Sequence, residues 1–158
     1  MIRIGFGFDT HKLEEGVNFR LGGIDVPHIR GSVGHSDADV LIHALCDALL
    51  GAAGLRDIGY QFPDSSPAFK GIDSTILLKK TCELIRDRSF LVVNIDSTIV
   101  LQSPKISEYI PGMITTLAGA MGISEEQLSI KAKTSEKLGF IGREEGISAY
   151  AVCLLQSI

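Results

Sequence analysis

The run Ile147-Ser148-Ala149-Tyr150-Ala151-Val152-Cys153-Leu154-Leu155 is apolar with little alternation. A strand with one wet face alternates polar and apolar residues, whereas a strand covered on both faces does not. The chain offers only one layer of helix-forming segments. One face of this strand is therefore expected against helices and the other against a second subunit, so oligomerisation is expected.

The remaining elements fall into order around it. A first strand is expected over about Ile2 to Asp9. Asn18 to Val26 reads as a hairpin, with Gly22-Gly23 supplying the turn's unusual dihedrals. Ser36 reads as an N-cap with Asp39 at the third helical position, opening an Ala- and Leu-rich helix that runs to about Gly54. Leu55 to Gly71 breaks this pattern, and a loop of that length in a compact domain is often functional. Asp73 or Ser74 caps a second helix reaching about Arg88, and Phe90 to Leu101 alternates as a strand. Pro104-Lys105 and Pro111-Gly112 mark helix starts, with the third helix ending near Gly122. Leu128 to Thr134 is a further strand, joined to the last by the loop Ser135 to Glu145. The expected architecture is a single α+β domain over residues 1–158. Its mixed, mainly antiparallel four-stranded sheet is covered by helices on one face and accompanied by a small hairpin.

The formal charge of −4 argues against a nucleic-acid footprint, which needs a basic face. Any anionic substrate must be captured by local groups, since net charge will not draw it in. Met1 to Phe8 meets Asp9 before a signal-peptide core can form. No apolar run approaches the ~18–20 residues of a membrane span. A cytoplasmic location is the expectation. Cys46, Cys82 and Cys153 are odd in number and widely spaced, which reads as buried free thiols.

In an extended segment residues i and i+2 share a face, so Asp9 and His11 can converge on one point. His43 sits in an otherwise apolar helix, where an unpartnered imidazole is costly. Asp9, His11 and His43 together form an Asp/His/His set suited to zinc with one position left open. Asp39 and Asp47 lie four residues either side of His43, and Asp47 is a candidate to hold the ring in its metal-binding tautomer. His35-Ser36 reads equally as a simple cap and as a phosphate site at a helix N-terminus. Lys131 to Lys137 gathers hydroxyls, cations and Glu136 at a strand end, where phosphates and a hydrated Mg²⁺ can be held. A solvated polar loop would look similar. Leu138 to Arg143 adds glycines and an Arg able to grip an anion.

Six segments then carry a resemblance: Gly7-Phe8-Asp9-Thr10-His11, His35-Ser36-Asp37-Ala38-Asp39-Val40, His43 to Ala52, Asp57-Ile58-Gly59, Phe62-Pro63-Asp64 and Glu136-Lys137-Leu138-Gly139-Phe140. Together, and in this order, they resemble the 2-C-methyl-D-erythritol 2,4-cyclodiphosphate synthases of the non-mevalonate isoprenoid route. The resemblance implies conversion of 4-diphosphocytidyl-2-C-methyl-D-erythritol 2-phosphate to the cyclic diphosphate with release of CMP. It implies zinc on Asp9, His11 and His43, and Mg²⁺ or Mn²⁺ on Glu136 with the substrate phosphates. His35 and Thr134 would position phosphates and stabilise the transition state, with Ser36, Lys133 and Ser135 beside them. Asp57 and Gly59 would contact methylerythritol, and Phe62, Pro63, Asp64, Ser65 and Ser66 would shape its pocket. Leu101, Gln102, Ser103, Pro104, Lys105, Ile106 and Ser107 would hold the cytidine end, with Phe140 and Arg143 also in contact with substrate. It further implies a homotrimer with active sites between subunits.

Some positions depart from the family's pattern. Phe-Pro-Asp-Thr-Asp reads Phe62-Pro63-Asp64-Ser65-Ser66, losing an acid. Lys133 and Ser135 replace hydroxyl residues flanking the threonine. Arg143 matches an Arg that, in some relatives, lines a trimer-axis cavity for isoprenoid diphosphates, but Tyr150 stands where those relatives have Glu. The competing readings are a zinc- or magnesium-dependent phosphohydrolase and a non-catalytic trimeric metal- or nucleotide-binding module.

Overall fold

The computed structural model describes residues Met1–Ile158. In chain order the elements are β1 (Ile2–Glu15), β2 (Arg20–Leu21), β3 (Ile24–Asp25), β4 (Arg30–Val33), α1 (Val40–Ala52), α2 (Ile58–Gln61) and α3 (Ser74–Asp87). They are followed by β5 (Phe90–Val100), α4 (Ile110–Met121), β6 (Leu128–Lys133), α5 (Gly139–Gly142) and β7 (Gly146–Ser157). The strands β2 and β3 form the small hairpin, and the other five make one sheet in the order β4-β1-β7-β5-β6. Only the β5–β6 pair is parallel.

The sheet has five strands rather than the expected four. The extra strand is the edge β4, which pairs with Lys12 to Glu15 of β1. Its sequence, Arg-Gly-Ser-Val, has no alternation of its own, so pairing alone makes it a strand. Strand β1 continues past Asp9 because β7 pairs with it as far as Lys12 and β4 takes over from Lys12 to Glu15.

The apolar strand β7 lies at the centre of the sheet. Ile147, Ala149, Ala151, Cys153 and Leu155 are buried on the helix-covered face, together with Ile95 and Ile99 of β5. The opposite face carries Ile4 (72% exposed), Phe6 (63%), Phe8, Tyr150 and Val152 in the open. Helices thus cover one side of β7 as expected.

Helix α1 is the centre of the core. Val40, Leu41, Ile42, Leu45, Leu49 and Leu50 are fully buried between the sheet and α3, each large side chain contributing about 1.5–3 kcal/mol. The exceptions to its burial are His43, Asp47 and Gly51, a stripe at four-residue spacing. Asp39, not Ser36, is its N-cap, accepting from the Ile42 N–H at 3.1 Å. Asp39 also accepts from the Gly22 and Gly23 amides of the hairpin turn, at 3.0 and 2.7 Å, which fixes the cap three residues later than propensity suggests. Burial pushes the Asp39 carboxyl up, against the pull of these amides.

The helix can reach β1 because two strand positions lack side chains. A Cβ at Gly5 would lie 1.9 Å from the Ala48 carbonyl oxygen, and one at Gly7 would lie 1.9 Å from that of Ala44. All three cysteines are buried and free. No helix is long and apolar enough to cross a membrane.

Candidate metal and phosphate site

Asp9 and His11 follow Gly5 and Gly7 on the same face of β1, so the glycine contact that seats α1 also brings His43 down beside them. Asp9, His11 and His43 each offer a ligand atom, all within 4.8 Å of one another. His43 Nδ1 lies 2.9 Å from Asp9 Oδ2. His11 Nδ1 lies 3.0 Å from the same oxygen but is misaligned for a hydrogen bond, leaving a buried nitrogen without a partner. The two rings are 5.1 Å apart. Gly34 underlies His11, since a Cβ there would sit 2.9 Å from Nε2. Two imidazoles and a carboxylate oxygen aimed at one point, one nitrogen of them orphaned, fit a divalent cation of zinc type.

Burial would raise the Asp9 carboxyl, but the close His11 and His43 imidazoles outweigh it and hold Asp9 at about 2. Burial would lower His43, yet the hydrogen bond to Asp9 and the fields of Asp9, Asp39 and Asp37 leave it raised.

The group opens into a cavity of about 210 Å³. His35, Ser36, Gly59, Phe62 and Asp64 line it with the three ligands, while Ile58, Phe69 and Leu77 add an apolar wall. His35 Nε2 is buried there without a partner, as a phosphate-directed donor would be. Asp57 is exposed and caps α2 through the Tyr60 N–H at 2.8 Å. Pro63, Ser65 and Ser66 do not line the cavity; they form the adjoining turn, closed by the Ser66 N–H on the Pro63 carbonyl. Asp47 does not touch His43; it accepts from the Ile58 N–H at 2.7 Å and so pins α2 beside the cavity. Its carboxyl is raised by burial, against that hydrogen bond.

A second cavity, of about 190 Å³, gathers Leu101, Gln102, Pro104, Lys105, Ile106 and Ser107 with Lys133 and Thr134. Ser103 adjoins it through a cis bond to Pro104. The loop beyond is tightly wound. Glu136 and Lys137 both have positive φ, Glu136 N–H donates to Thr134 Oγ1 at 3.2 Å, and Lys137 N–H donates to Gln102 Oε1 at 3.0 Å. Ser135 Oγ donates to the Leu138 carbonyl, and the Glu136 carboxylate is exposed. Phe140 lies instead beside Thr10, His11 and Gly146. Arg143 pairs with Glu145 at 3.1 Å on the surface.

The two cavities share no residue. Thr10 pairs with Ser148, Ser148 with Val100, and Val100 with Lys133 across β1, β7, β5 and β6. Three strand spacings therefore separate the metal group from the Thr134 end, roughly 14 Å. Sequence reasoning passed over Ser74 and Asp37, which contact His43 and its neighbours. Ser74 reads only as a cap, and nothing local signals that α3 starts against α1.

A mixed sheet backed by one helical layer, with an Asp/His/His group able to hold a metal ion opening into one cavity and a basic, hydroxyl-rich second cavity, has the layout of an enzyme domain. More specifically, the chain matches the YgbB family over residues 2–156 and belongs to that family. It is 60% identical over 155 residues to the 2-C-methyl-D-erythritol 2,4-cyclodiphosphate synthase of Bacteroides thetaiotaomicron, covering 98% of each chain. It is 54% identical over 156 residues to the synthase of Syntrophobacter fumaroxidans, covering 99% of this chain and 98% of that one. Among solved structures it resembles the bifunctional IspDF of Campylobacter jejuni, with a TM-score of 0.96 and 40% identity. That match covers 100% of this chain and 43% of the longer protein. It also resembles the CDP complex of IspF from Plasmodium falciparum, with a TM-score of 0.86 and 36% identity over 99% of this chain and 96% of that one.

Proposed function

We propose that the chain, acting as a single catalytic domain over residues 1–158, converts 4-diphosphocytidyl-2-C-methyl-D-erythritol 2-phosphate to 2-C-methyl-D-erythritol 2,4-cyclodiphosphate and CMP. The observation that carries this reading is the Asp9/His11/His43 group beside a cavity, in a chain 60% identical along its length to a synthase of that name. It is a lyase of isoprenoid biosynthesis, and cytoplasmic.

In the reaction an oxygen of the 2-phosphate attacks the β-phosphorus of the diphosphate. A P–O bond forms there, the bond to the CMP phosphate oxygen breaks, and CMP leaves with its electron pair. The nucleophile is already largely ionised at neutral pH, its second pKa being about 6, so no strong base is needed. The work left to the protein is to fold the substrate so that oxygen and phosphorus are close and in line, worth up to ~7–11 kcal/mol. Asp9, His11 and His43 would hold zinc, and Glu136 would hold Mg²⁺ or Mn²⁺ with the phosphates. Bound there, the cations would screen the repulsion between the anionic groups and polarise the phosphoryl oxygens. His35 and Ser36 donate to phosphate from the first cavity, and Thr134 and Lys133 from the second, with Ser135 beside them holding the loop through the Leu138 carbonyl. Gly59, Phe62 and Asp64 enclose the methylerythritol part, with Asp57 and the Pro63–Ser66 turn at its rim. The Leu101–Ser107 segment takes the cytidine end, a reading supported by the CDP held by the Plasmodium falciparum relative.

One chain holds the two halves roughly 14 Å apart, so a single phosphate cannot touch both. A neighbouring copy brings its Thr134–Glu136 loop to the tripod, and the uncovered face of β1, β7 and β5 is the surface on which copies meet. The assembly is a homotrimer.

The reaction is tested by incubating the protein with the diphosphocytidyl substrate, zinc and magnesium and following phosphorus by NMR. The cyclic diphosphate and CMP are expected in equal amounts. Release of inorganic phosphate would indicate a hydrolase instead, and unconsumed substrate a binding module.

A further inference from the structure

The tripod explains only one nitrogen of His43. Its Nδ1 faces Asp9, while Nε2 lies 3.0 Å from Ser36 Oγ and 3.1 Å from Ser74 Oγ. Ser74 is fully buried, and its hydroxyl donates to Asp37 Oδ1 at 2.5 Å. Asp37 Oδ2 accepts the Ser74 N–H at 3.0 Å, and Oδ1 accepts the Asp39 N–H at 3.1 Å. Arg20 Nε stands 3.8 Å from Oδ2. The carboxylate is thus held from three elements: the hairpin, the start of α1 and the start of α3.

The direction of this chain of bonds follows from what each group can do. A carboxylate only accepts, so the Ser74 proton belongs to Asp37, and Ser74 Oγ turns its lone pairs to His43. A histidine meeting that oxygen must carry its proton on Nε2, which leaves Nδ1 bare toward Asp9 and His11. The Ser36 hydroxyl already accepts the Ala38 N–H at 3.2 Å. Ser36 Oγ also stands 3.4 Å from Ser74 Oγ, its longest contact. With His43 satisfied by Ser74, the Ser36 proton is available to turn from that long contact into the cavity.

We propose that Ser74 and Asp37 are positioning residues for the metal site. They form a carboxylate–serine–histidine line that fixes the His43 tautomer and orientation and reserves the Ser36 hydroxyl for a phosphate oxygen. Outer partners of metal-bound histidines are usually a carboxylate or carbonyl in direct contact; here a buried serine carries the carboxylate's influence across one more bond. The inference rests on the reading of Asp9, His11 and His43 as a zinc tripod.

The test is zinc affinity of the full chain, measured by competition with a chromophoric chelator, together with the ¹⁵N signals of His43 in the zinc-loaded protein. Ser74→Ala is expected to weaken zinc binding by about 10–100-fold, with Asp37→Asn, which keeps the side-chain size, weakening it in the same direction. Both are expected to shift the His43 Nε2–H resonance, while Ser74→Thr, retaining the hydroxyl, stays near the wild type. A wild type that binds no zinc would overturn the tripod and this inference with it. A wild type that binds zinc, with variants that bind equally tightly and leave the His43 resonance unmoved, would overturn the positioning role alone. So would a loss in Ser74→Ala that Ser74→Thr fails to restore, since packing would then be its cause.

Discussion

Asp9 Oδ2 lies between two imidazole nitrogens at 2.9 and 3.0 Å, and in the metal-free protein this arrangement favours a protonated His43. Its pKa is raised above the ordinary 6.5 by Asp9, Asp39 and Asp37, against the effect of burial. The sign follows. A histidine with a raised folded-state pKa contributes stability that is fully present below the unfolded value and lost as pH rises through the folded one. Zinc must take the place of that proton. Zinc affinity is therefore expected to climb about tenfold per pH unit until the raised value is passed, then level off. Titrations from about pH 5.5 to about 8 measure this; a flat profile would show that no proton is displaced. Over the same range the metal-free protein is expected to lose thermal stability as the zinc-binding strength grows.

At the level of elements, the site depends on how closely α1 lies on β1. Gly7→Ala places a methyl against the Ala44 carbonyl, beside the helix turn that carries His43. It is expected to cost about 1–3 kcal/mol or more of stability and to weaken zinc binding, because the helix must retreat. Gly5→Ala meets Ala48 one turn further from the ligands, and should cost similar stability with a smaller loss of zinc affinity. Denaturant melts and chelator competition on both variants separate the two effects; equal losses of affinity would argue against local transmission. The same contrast shows what sequence could reveal. The spacing of Asp9 and His11 is local, and β1 places them on one face as alternation requires. The Ala- and Leu-rich run is helical, the Gly22-Gly23 turn has both residues at positive φ, and Gly122 ends α4 in the left-handed region. Features set by distant partners were hidden. Ser36 is as good a cap as Asp39 by propensity, and only the hairpin amides choose between them. The strand β4 exists because β1 has a free edge, and Asp47 looks like a partner for His43 until α2 claims it. Ser74 enters the site only because α3 begins against α1.

The whole molecule presents an apolar sheet face with Ile4 72% and Phe6 63% exposed. Tyr150 packs beside Phe8 on that face, ring centroids 5.1 Å apart. A surface of this kind marks an interaction site, and the central strand β7 adds Tyr150, Val152 and Leu154 to it, with polar residues only toward its ends at Ser148 and Gln156. Ile4→Lys, distant from the metal group, is expected to convert a trimer to folded monomers by sedimentation velocity, with turnover falling because each site loses its second half. An unchanged sedimentation coefficient would place the subunit contact elsewhere. The claim that joins fold to function is that each reaction centre takes its tripod from one copy and its Thr134–Glu136 loop from another. Co-expressing differently tagged His11→Ala and Thr134→Ala chains, and purifying only assemblies that carry both tags, tests it directly. Each variant alone is expected to be inactive. In a cyclic trimer of mixed composition one interface pairs an intact tripod with an intact loop, so about one third of wild-type cyclic diphosphate and CMP production is expected. Mixed assemblies as inactive as either parent would contradict a shared site.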